Sequence, residues 1–133
     1  KYQIKNVMSF DNPDNGFATK WYNPGSWLCI DFTRHRIIPT HYTLKSLGSY
    51  FPGSIYSLKS WVIETSNDNK SWDVIDEVKN NSQLKGDLFV HTFKIQKPQD
   101  KEIRYFRIRS TDSDWCGSHY IALNSIEVFG TII

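Results

Sequence analysis

Apolar residues recur at every second position in one segment of this chain after another, which is the pattern of β-strands with one buried face. In the segment 103–110, Phe106 and Ile108 would point inward, while Arg107 and Arg109 would point outward. The final segment, 120–133, is long enough to carry a β-bulge near Ser125. The alternating segments are 27–32, 39–46, 57–77, 88–95, 103–110 and 120–133. No stretch of helical length carries a 3.6-residue apolar stripe, so the sequence predicts an all-β fold, an antiparallel β-sandwich of two sheets packed face to face.

The segment 57–77 has the pattern of a β-hairpin. Trp61 and Ile63 are predicted to point into the core on its first strand. The polar run Ser66–Lys70 supplies the turn residues, and Trp72 and Val74 are predicted to return to the core on the second strand.

Composition limits the size and the partners of the domain. The chain has 133 residues, enough for one hydrophobic core, so we expect a single domain over residues 1–133. Because it begins at Lys1 rather than Met, we expect it to be part of a longer protein. Its 16 Lys and Arg nearly balance its 14 Asp and Glu, and no apolar run is long enough for a membrane span, so we expect neither a nucleic acid partner nor a membrane span. Aromatic residues make up 15% of the chain, which is typical of a sandwich with large rings between its sheets and some left over for a ligand.

The two cysteines bear on the cellular compartment. Cys29 lies in an apolar strand segment and Cys116 in a polar loop, and two cysteines alone cannot hold zinc. The sequence leaves open whether the two cysteines form a disulfide, but one disulfide is fewer than secreted domains usually contain. The balance favours two free thiols and an intracellular, cytoplasmic protein, with an extracellular one left open.

Several strings of residues resemble a known family. They are SWVIETSNDNKSW at 60–72, RYFRIRS at 104–110 and HYIALNSIEVFG at 119–130. In this order they are similar to the W-x-I-x-x-S-x-D-x-x-x-W hairpin, the R-Y-x-R-I strand and the I-E-x-F-G strand of the discoidin, or coagulation factor 5/8 type C, family. The opening NVMSFDNPDNGFATKWYNPGSWLCIDF at 6–32 also fits that family. The resemblance implies a galactose-binding-like jelly roll with its ligand loops clustered at one end.

The chain departs from the family pattern in two ways. Extracellular members commonly join their first and last strands by a disulfide, but neither cysteine lies at an end of this chain. The W-x-C-I-D-F strand followed by I-P-T-H-Y and S-W-V-I-E looks more like the intracellular, often protist, branch. The family's first strand normally precedes the segment that begins at Lys1, so we expect it to be missing and the strand Ile126–Ile132 to have an unpaired edge.

The resemblance brings three loops together, Asp11–Gly25, Gly48–Ser57 and Thr111–His119. Their aromatic rings could pack against the C–H surface of a sugar or peptide while nearby polar groups form hydrogen bonds with it. The predicted ligand-binding residues are Asn23, Tyr50, Phe51, Tyr56, Asp112, Asp114, Trp115, Ser118 and His119. The alternative is that these aromatic residues only anchor their loops, as Trp21 is expected to plug the core.

Asp11, Asp14 and Glu127 form a candidate calcium site. Calcium prefers several oxygen ligands, which a tight loop of Asp, Asn and carbonyl groups can provide. Glu127 matches the glutamate of the I-E-x-F-G strand, which in calcium-binding members of the family reaches towards the first loop. The alternative is that Asp11 and Asp14 cap turn amides while Glu127 is solvated or salt-bridged. We expect that no cofactor is required and that any Ca²⁺ is structural.

Three arginines follow one another in the segment 103–110. Arg107 and Arg109 point the same way, and Arg104 is predicted to point the other way. Acidic residues of the hairpin 57–77 lie nearby in the predicted fold. A face of cross-strand ion pairs is therefore favoured over a basic binding site.

The predicted function is a non-catalytic module that presents loop aromatic and polar residues to a glycan or other polar ligand. The alternative is an intracellular module that recruits a protein partner through the same loops or through an exposed sheet edge. A catalytic arrangement of His119 with Asp112 or Asp114 lacks a nucleophile in a recognisable motif, so we predict no enzyme.

Overall fold

A computed structural model describes residues 5–11, 17–18, 25–47 and 57–133 of the chain. They form nine strands and, within these ranges, no helix. The strands are β1 (Lys5–Asp11), β2 (Phe17–Ala18), β3 (Trp27–Asp31), β4 (Ile37–Ser46), β5 (Trp61–Ser66), β6 (Asp73–Val78), β7 (Val90–Lys94), β8 (Tyr105–Ser110) and β9 (Ala122–Ile132). The predicted all-β class is confirmed.

The strands make two antiparallel sheets. The first has the order β1-β9-β4-β7, with β2 also paired to β9, and the second has the order β3-β8-β5-β6. Neighbours in the sheets are mostly distant in sequence, which is the connectivity of a jelly roll rather than a simple meander. The predicted β-sandwich is confirmed.

The expectation of an unpaired edge on Ile126–Ile132 is wrong. Ile126 on β9 pairs with Phe10 on β1 and also with Leu44 on β4, so β9 lies inside its sheet. The reason is that the first residues of this chain supply the neighbouring strand. The β-bulge expected near Ser125 is confirmed, because Ser125 pairs with Lys45 while the next pair joins Leu123 to Ser46.

The space between the sheets is filled by large rings. Tyr42 stacks on Phe93 with ring centroids 5.3 Å apart, and the ring of Phe106 meets Tyr42 edge-on at 6.1 Å. Trp61 meets Phe93 at 5.1 Å with an angle of 86° between the rings. These edge-on and offset contacts are the arrangements that aromatic quadrupoles favour. They account for part of the high aromatic content of the chain.

A polar chain of hydrogen bonds crosses this apolar core. The indole N–H of Trp61 donates to the Tyr42 hydroxyl oxygen at 2.9 Å, and that hydroxyl donates to Asp76 Oδ2 at 2.5 Å. The other carboxylate oxygen of Asp76 accepts the backbone N–H of Gln96 at 3.1 Å. Burial, reinforced by the bond to Asp76, holds the pKa of Tyr42 well above its usual range, so the hydroxyl stays a donor.

The hairpin prediction is confirmed for β5 and wrong for β6. Trp61 and Ile63 are buried, but Val74 is 46% exposed and Trp72 lies on the outer side of the sheet. The physical reason is a bulge: Ile63 pairs with Asp76 and Glu64 with Val74, so β6 carries one extra residue. That residue changes the alternation and turns both Ile75 and Asp76 towards the core.

The turn between β5 and β6 is held by Asp68. Its Oδ1 accepts the backbone N–H groups of Lys70 at 2.9 Å and Ser71 at 2.8 Å, as well as the hydroxyl of Ser66 at 2.9 Å. These bonds to the ionised carboxylate lower the pKa of Asp68 to about 2. The predicted turn over Ser66–Lys70 is confirmed.

The low pKa of Asp68 predicts a loss of stability in acid. The carboxyl titrates at 3.8 when unperturbed and at about 2 in the folded domain. Its contribution to stability is therefore complete above pH 3.8 and is lost as the pH falls through about 2. Thermal unfolding between pH 5 and pH 2 should show a larger fall in Tm for the wild type than for Asp68→Asn, which cannot ionise. Equal pH slopes for the two proteins would contradict the assignment.

Candidate functional site

Residues in or next to the three predicted ligand loops meet at one end of the sandwich, which we call the loop end and define by Ser26, Ser57, Ser110 and Trp115. The N–H of Ser110 donates to the carbonyl of Ser26 at 2.8 Å, which joins the residue after the first loop to the residue before the third. The N–H of Trp115 donates to the carbonyl of Ser57 at 3.2 Å, which joins the second loop to the third. The tips themselves are not described, and Asn23, Tyr50, Phe51 and Tyr56 lie outside the described residues.

Asp114 and Ser118 hold the third loop together. Asp114 is only 3% exposed, and its Oδ1 accepts the N–H groups of Cys116 at 2.9 Å and of Ser118 at 2.8 Å. Its Oδ2 accepts the Ser118 hydroxyl at 2.8 Å. Because both side chains are buried and bonded to each other, the geometry favours a structural role over the predicted ligand contact for these two residues.

Trp115 is half-buried at the loop end, and its ring is held from several sides. The indole N–H donates to the carbonyl of Asn81 at 3.2 Å. The ammonium nitrogen of Lys85 lies 4.3 Å from the ring centroid and that of Lys59 lies 5.4 Å away, both within cation–π range. Sequence reasoning missed Lys59, Asn81 and Lys85, because no local pattern reveals which distant loop packs beside an aromatic residue.

The other two predicted residues of the third loop are Asp112 and His119. Asp112 is exposed, and its Oδ1 accepts the N–H of Ser113 at 2.7 Å. His119 is half-buried. Asp112 therefore remains accessible at the loop end, where a carboxylate can accept hydrogen bonds from ligand hydroxyl groups.

The calcium prediction falls largely on residues whose side chains are not described. Asp14 lies outside the described residues, and for Asp11 only the backbone is described. Asp11 pairs with Ser125, two residues from Glu127, and Glu127 itself pairs with Ser9 and Thr43. The described residues contain no cluster of three or more His, Cys, Asp or Glu side chains that could hold a metal ion. The calcium site stays a prediction.

The outer side of the sheet β3-β8-β5-β6 carries a second notable arrangement, which we call the outer face. Glu64 has a side chain only 8% exposed, and its Oε1 accepts hydrogen bonds from Arg107 at 3.0 Å and from Arg109 at 2.8 Å. Burial by itself raises the pKa of Glu64, but the two guanidinium groups outweigh it and hold the pKa below its usual value. The predicted ion-pair face is confirmed for these residues.

Arg104 departs from the predicted direction. Its guanidinium makes two bonds to the Asp31 carboxylate, at 2.8 and 3.1 Å, and lies 4.9 Å from the centroid of Tyr105. Asp31 and Tyr105 are paired on the outer face, so Arg104 reaches that face too. The reason is that Arg104 precedes β8, where strand alternation does not apply.

Both cysteines are thiols. Cys29 is half-buried on β3, and burial, more than the opposing charge of Arg107, raises its pKa. Cys116 is exposed in the third loop. Among the described residues, no helix is long and apolar enough to cross a membrane.

Solved structures similar to this chain include carbohydrate-binding modules and an F5/8 type C domain. A family 32 carbohydrate-binding module from a Clostridium perfringens glycoside hydrolase is 18% identical, with a TM-score of 0.60 over 96% of this chain and 93% of its own. An F5/8 type C domain from Bacteroides fragilis is 14% identical, with a TM-score of 0.64 over 98% and 91%. A second C. perfringens module, solved in complex with GalNAc-β-1,3-galactose, is 10% identical, with a TM-score of 0.59 over 96% and 94%. The fold implied by the discoidin resemblance is confirmed.

The family of the chain is shown by a sequence profile, whereas the solved structures, which have low sequence identity, show only its fold. No curated protein matches its sequence. The profile of the Sad1 / UNC-like C-terminal family matches residues 1–132. The chain belongs to the Sad1 / UNC-like C-terminal family and has the galactose-binding-like sandwich fold.

Proposed function

We propose that this domain is a non-catalytic binding module that holds a glycan at the loop end, with Trp115 as its aromatic platform. The observation that carries the proposal is the position of Trp115: its indole N–H donates to the carbonyl of Asn81 at 3.2 Å while the side chain remains partly exposed. A fixed ring is a good platform because little side-chain entropy is lost when a sugar packs against it.

The groups around Trp115 fit the chemistry of a sugar. The C–H surface of a pyranose can pack on the indole, while the ammonium groups of Lys59 and Lys85 donate to its hydroxyl or ring oxygens. The carboxylate of Asp112 accepts from hydroxyl groups. Each lysine contacts the ring through a cation–π interaction, which is worth about 1 kcal/mol at exposed sites, so a ligand can displace it.

Two further considerations support a glycan. The modules with this fold include several named for carbohydrate binding, and one was solved with a disaccharide bound. The predicted ligand residues Asn23, Tyr50, Phe51 and Tyr56 belong to the loops whose described flanks meet at the loop end. We propose that these residues, with Asp112 and His119, complete the site around Trp115.

Substitution of Trp115 tests the proposal. On an array of neutral and acidic glycans we expect the wild type to bind a defined set of sugars. Trp115→Ala should weaken that binding at least about tenfold, because the platform is lost. Trp27→Ala is the matched control: it removes an equally large exposed ring from the outer face and should leave glycan binding unchanged. No sugar bound by the wild type, or equal losses in both variants, would overturn the proposal.

Protein recruitment inside the cell is the second candidate function. The exposed thiol of Cys116 favours a reducing compartment, since such a thiol is oxidised readily outside the cell. In this alternative the same loops contact a protein partner. Protein binding that is lost in Trp115→Ala, with no binding on the glycan array, would select it.

A further inference from the structure

The outer face presents aromatic rings and arginines in one layered group. The guanidinium of Arg107 lies 3.8 Å from the centroid of Trp72 and 5.6 Å from that of Trp27, so it is flanked by two indole rings. Trp72 in turn lies 6.3 Å from Tyr105. Ring stacking and the bonds to Glu64 fix these side chains before any partner arrives, which lowers the entropic cost of binding.

Among the described residues, four basic side chains of the outer face share three carboxylates, so one positive charge has no carboxylate of its own. Arg104 is paired with Asp31, and Lys79 with Glu77. Arg107 and Arg109 share the single carboxylate of Glu64, and both bond to the same oxygen. Within the described ranges Arg109 uses only its Nε in a hydrogen bond, so its terminal N–H groups are available to another acceptor.

Trp27 lies beside Arg109 on the outer face. It pairs with Arg109 across β3 and β8, and it is 52% exposed in spite of its size. Val74 adds exposed apolar surface on the same face, opposite Glu64. Trp and Arg are the residue types most enriched at the energetic centres of protein interfaces, where an aromatic anchor lies next to a charge-assisted hydrogen bond.

The size of the face limits the occupant. Four strands of five or six residues cover a flat area of roughly 350 Å² at the usual strand spacing and rise, and each partner in a stable complex between globular surfaces buries about 800 Å² of accessible surface. A second copy of the domain needs a larger contact. A short segment of a partner protein fits the area.

We propose that the outer face binds a short acidic segment of a partner protein. An Asp or Glu carboxylate of the segment accepts hydrogen bonds from the terminal N–H groups of Arg109 and neutralises the positive charge that has no carboxylate of its own. A neighbouring aromatic or aliphatic side chain of the segment packs on Trp27. This site lies on the outer side of the sheet, beside the loop end, and uses residues other than those proposed for the glycan.

Selection from a phage-displayed random peptide library tests this site. The library is first depleted on the Trp27→Ala domain and then selected on the wild type, so that survivors depend on the outer face. We expect survivors rich in Asp and Glu with at least one aromatic or large aliphatic residue. Synthetic copies should bind at least tenfold more weakly to Arg109→Gln than to the wild type, and more weakly as salt is raised.

Two matched variants make the test specific. Arg104→Gln removes the same charge from the same face, but Arg104 already has its own partner in Asp31, so we expect less than a twofold effect. The Trp115→Ala variant should bind the peptides with the same affinity as the wild type, whether or not it loses glycan binding. Four results would overturn the proposal: no surviving peptides, survivors without acidic residues, equal effects of Arg104→Gln and Arg109→Gln, or self-association that Trp27→Ala abolishes, which would assign the face to a second copy.

Discussion

Gly130→Ala is expected to destabilise the domain by about 4 kcal/mol, a large part of the stability of a typical small domain. Gly130 lies on β9 between Lys5 on β1 and Pro39 on β4. A Cβ at this position would overlap the carbonyl oxygen of Ile38 and come within 2.9 Å of Pro39 Cα. Both obstacles are backbone atoms inside a sheet, so the clash is relieved only if the strands separate and lose their hydrogen bonds.

Guanidinium denaturation measures this effect, and Gly117→Ala is the control. Gly117 has a φ of +83°, and nothing lies within 4 Å of an added Cβ, so alanine there should cost only about 1 kcal/mol of backbone strain. A Gly130→Ala domain as stable as Gly117→Ala would show that the two strands do not approach so closely in solution.

Asp76→Ala is expected to cost about 3 kcal/mol, the second large effect. Asp76 is 3% exposed, and its two oxygens accept the Tyr42 hydroxyl and the N–H of Gln96. Alanine would leave the buried Tyr42 hydroxyl without its acceptor, would remove the acceptor of the Gln96 N–H, and would also remove the group that orients Tyr42 towards Trp61.

Thermal and urea unfolding test this prediction with Asp73→Ala as the matched control, since Asp73 lies on the same strand and is exposed. The control should change the unfolding free energy by no more than about 0.5 kcal/mol. Tyr42→Phe should cost less than Asp76→Ala, and the double variant should cost less than the sum of the two because they share one bond. Additive effects would mean that the hydrogen bond contributes little.

The strand pattern could be predicted because alternation is a local property. Tyr105, Arg107 and Arg109 face outward, and Phe106 and Ile108 inward, as a period of two requires. The prediction failed for Val74, because a β-bulge is fixed by how β6 meets β5 and leaves no mark on the period of β6 alone. It failed for the edge of β9 because the pairing partner lies more than a hundred residues earlier in the chain.

The candidate site could be predicted less completely than the fold. Trp115, an aromatic residue two positions before Gly117 in a polar loop, was predicted from sequence as a ligand residue. The structural roles of Asp114 and Ser118 could not be predicted. An aspartate in a polar loop gives the same sequence pattern whether its carboxylate faces solvent or accepts hydrogen bonds from the loop itself. The outer-face group was recognised only as ion pairs, since nothing in the sequence indicates that Arg107 lies between Trp27 and Trp72.

By itself, the sequence determined that this chain is a β-sandwich with polar, aromatic loops, because side-chain alternation and turn composition are local properties of the sequence. Which loops meet, which charges share a partner and which rings stay exposed were decided by the tertiary structure alone. These properties depend on strand order and register, and both are set by contacts between residues far apart in the chain.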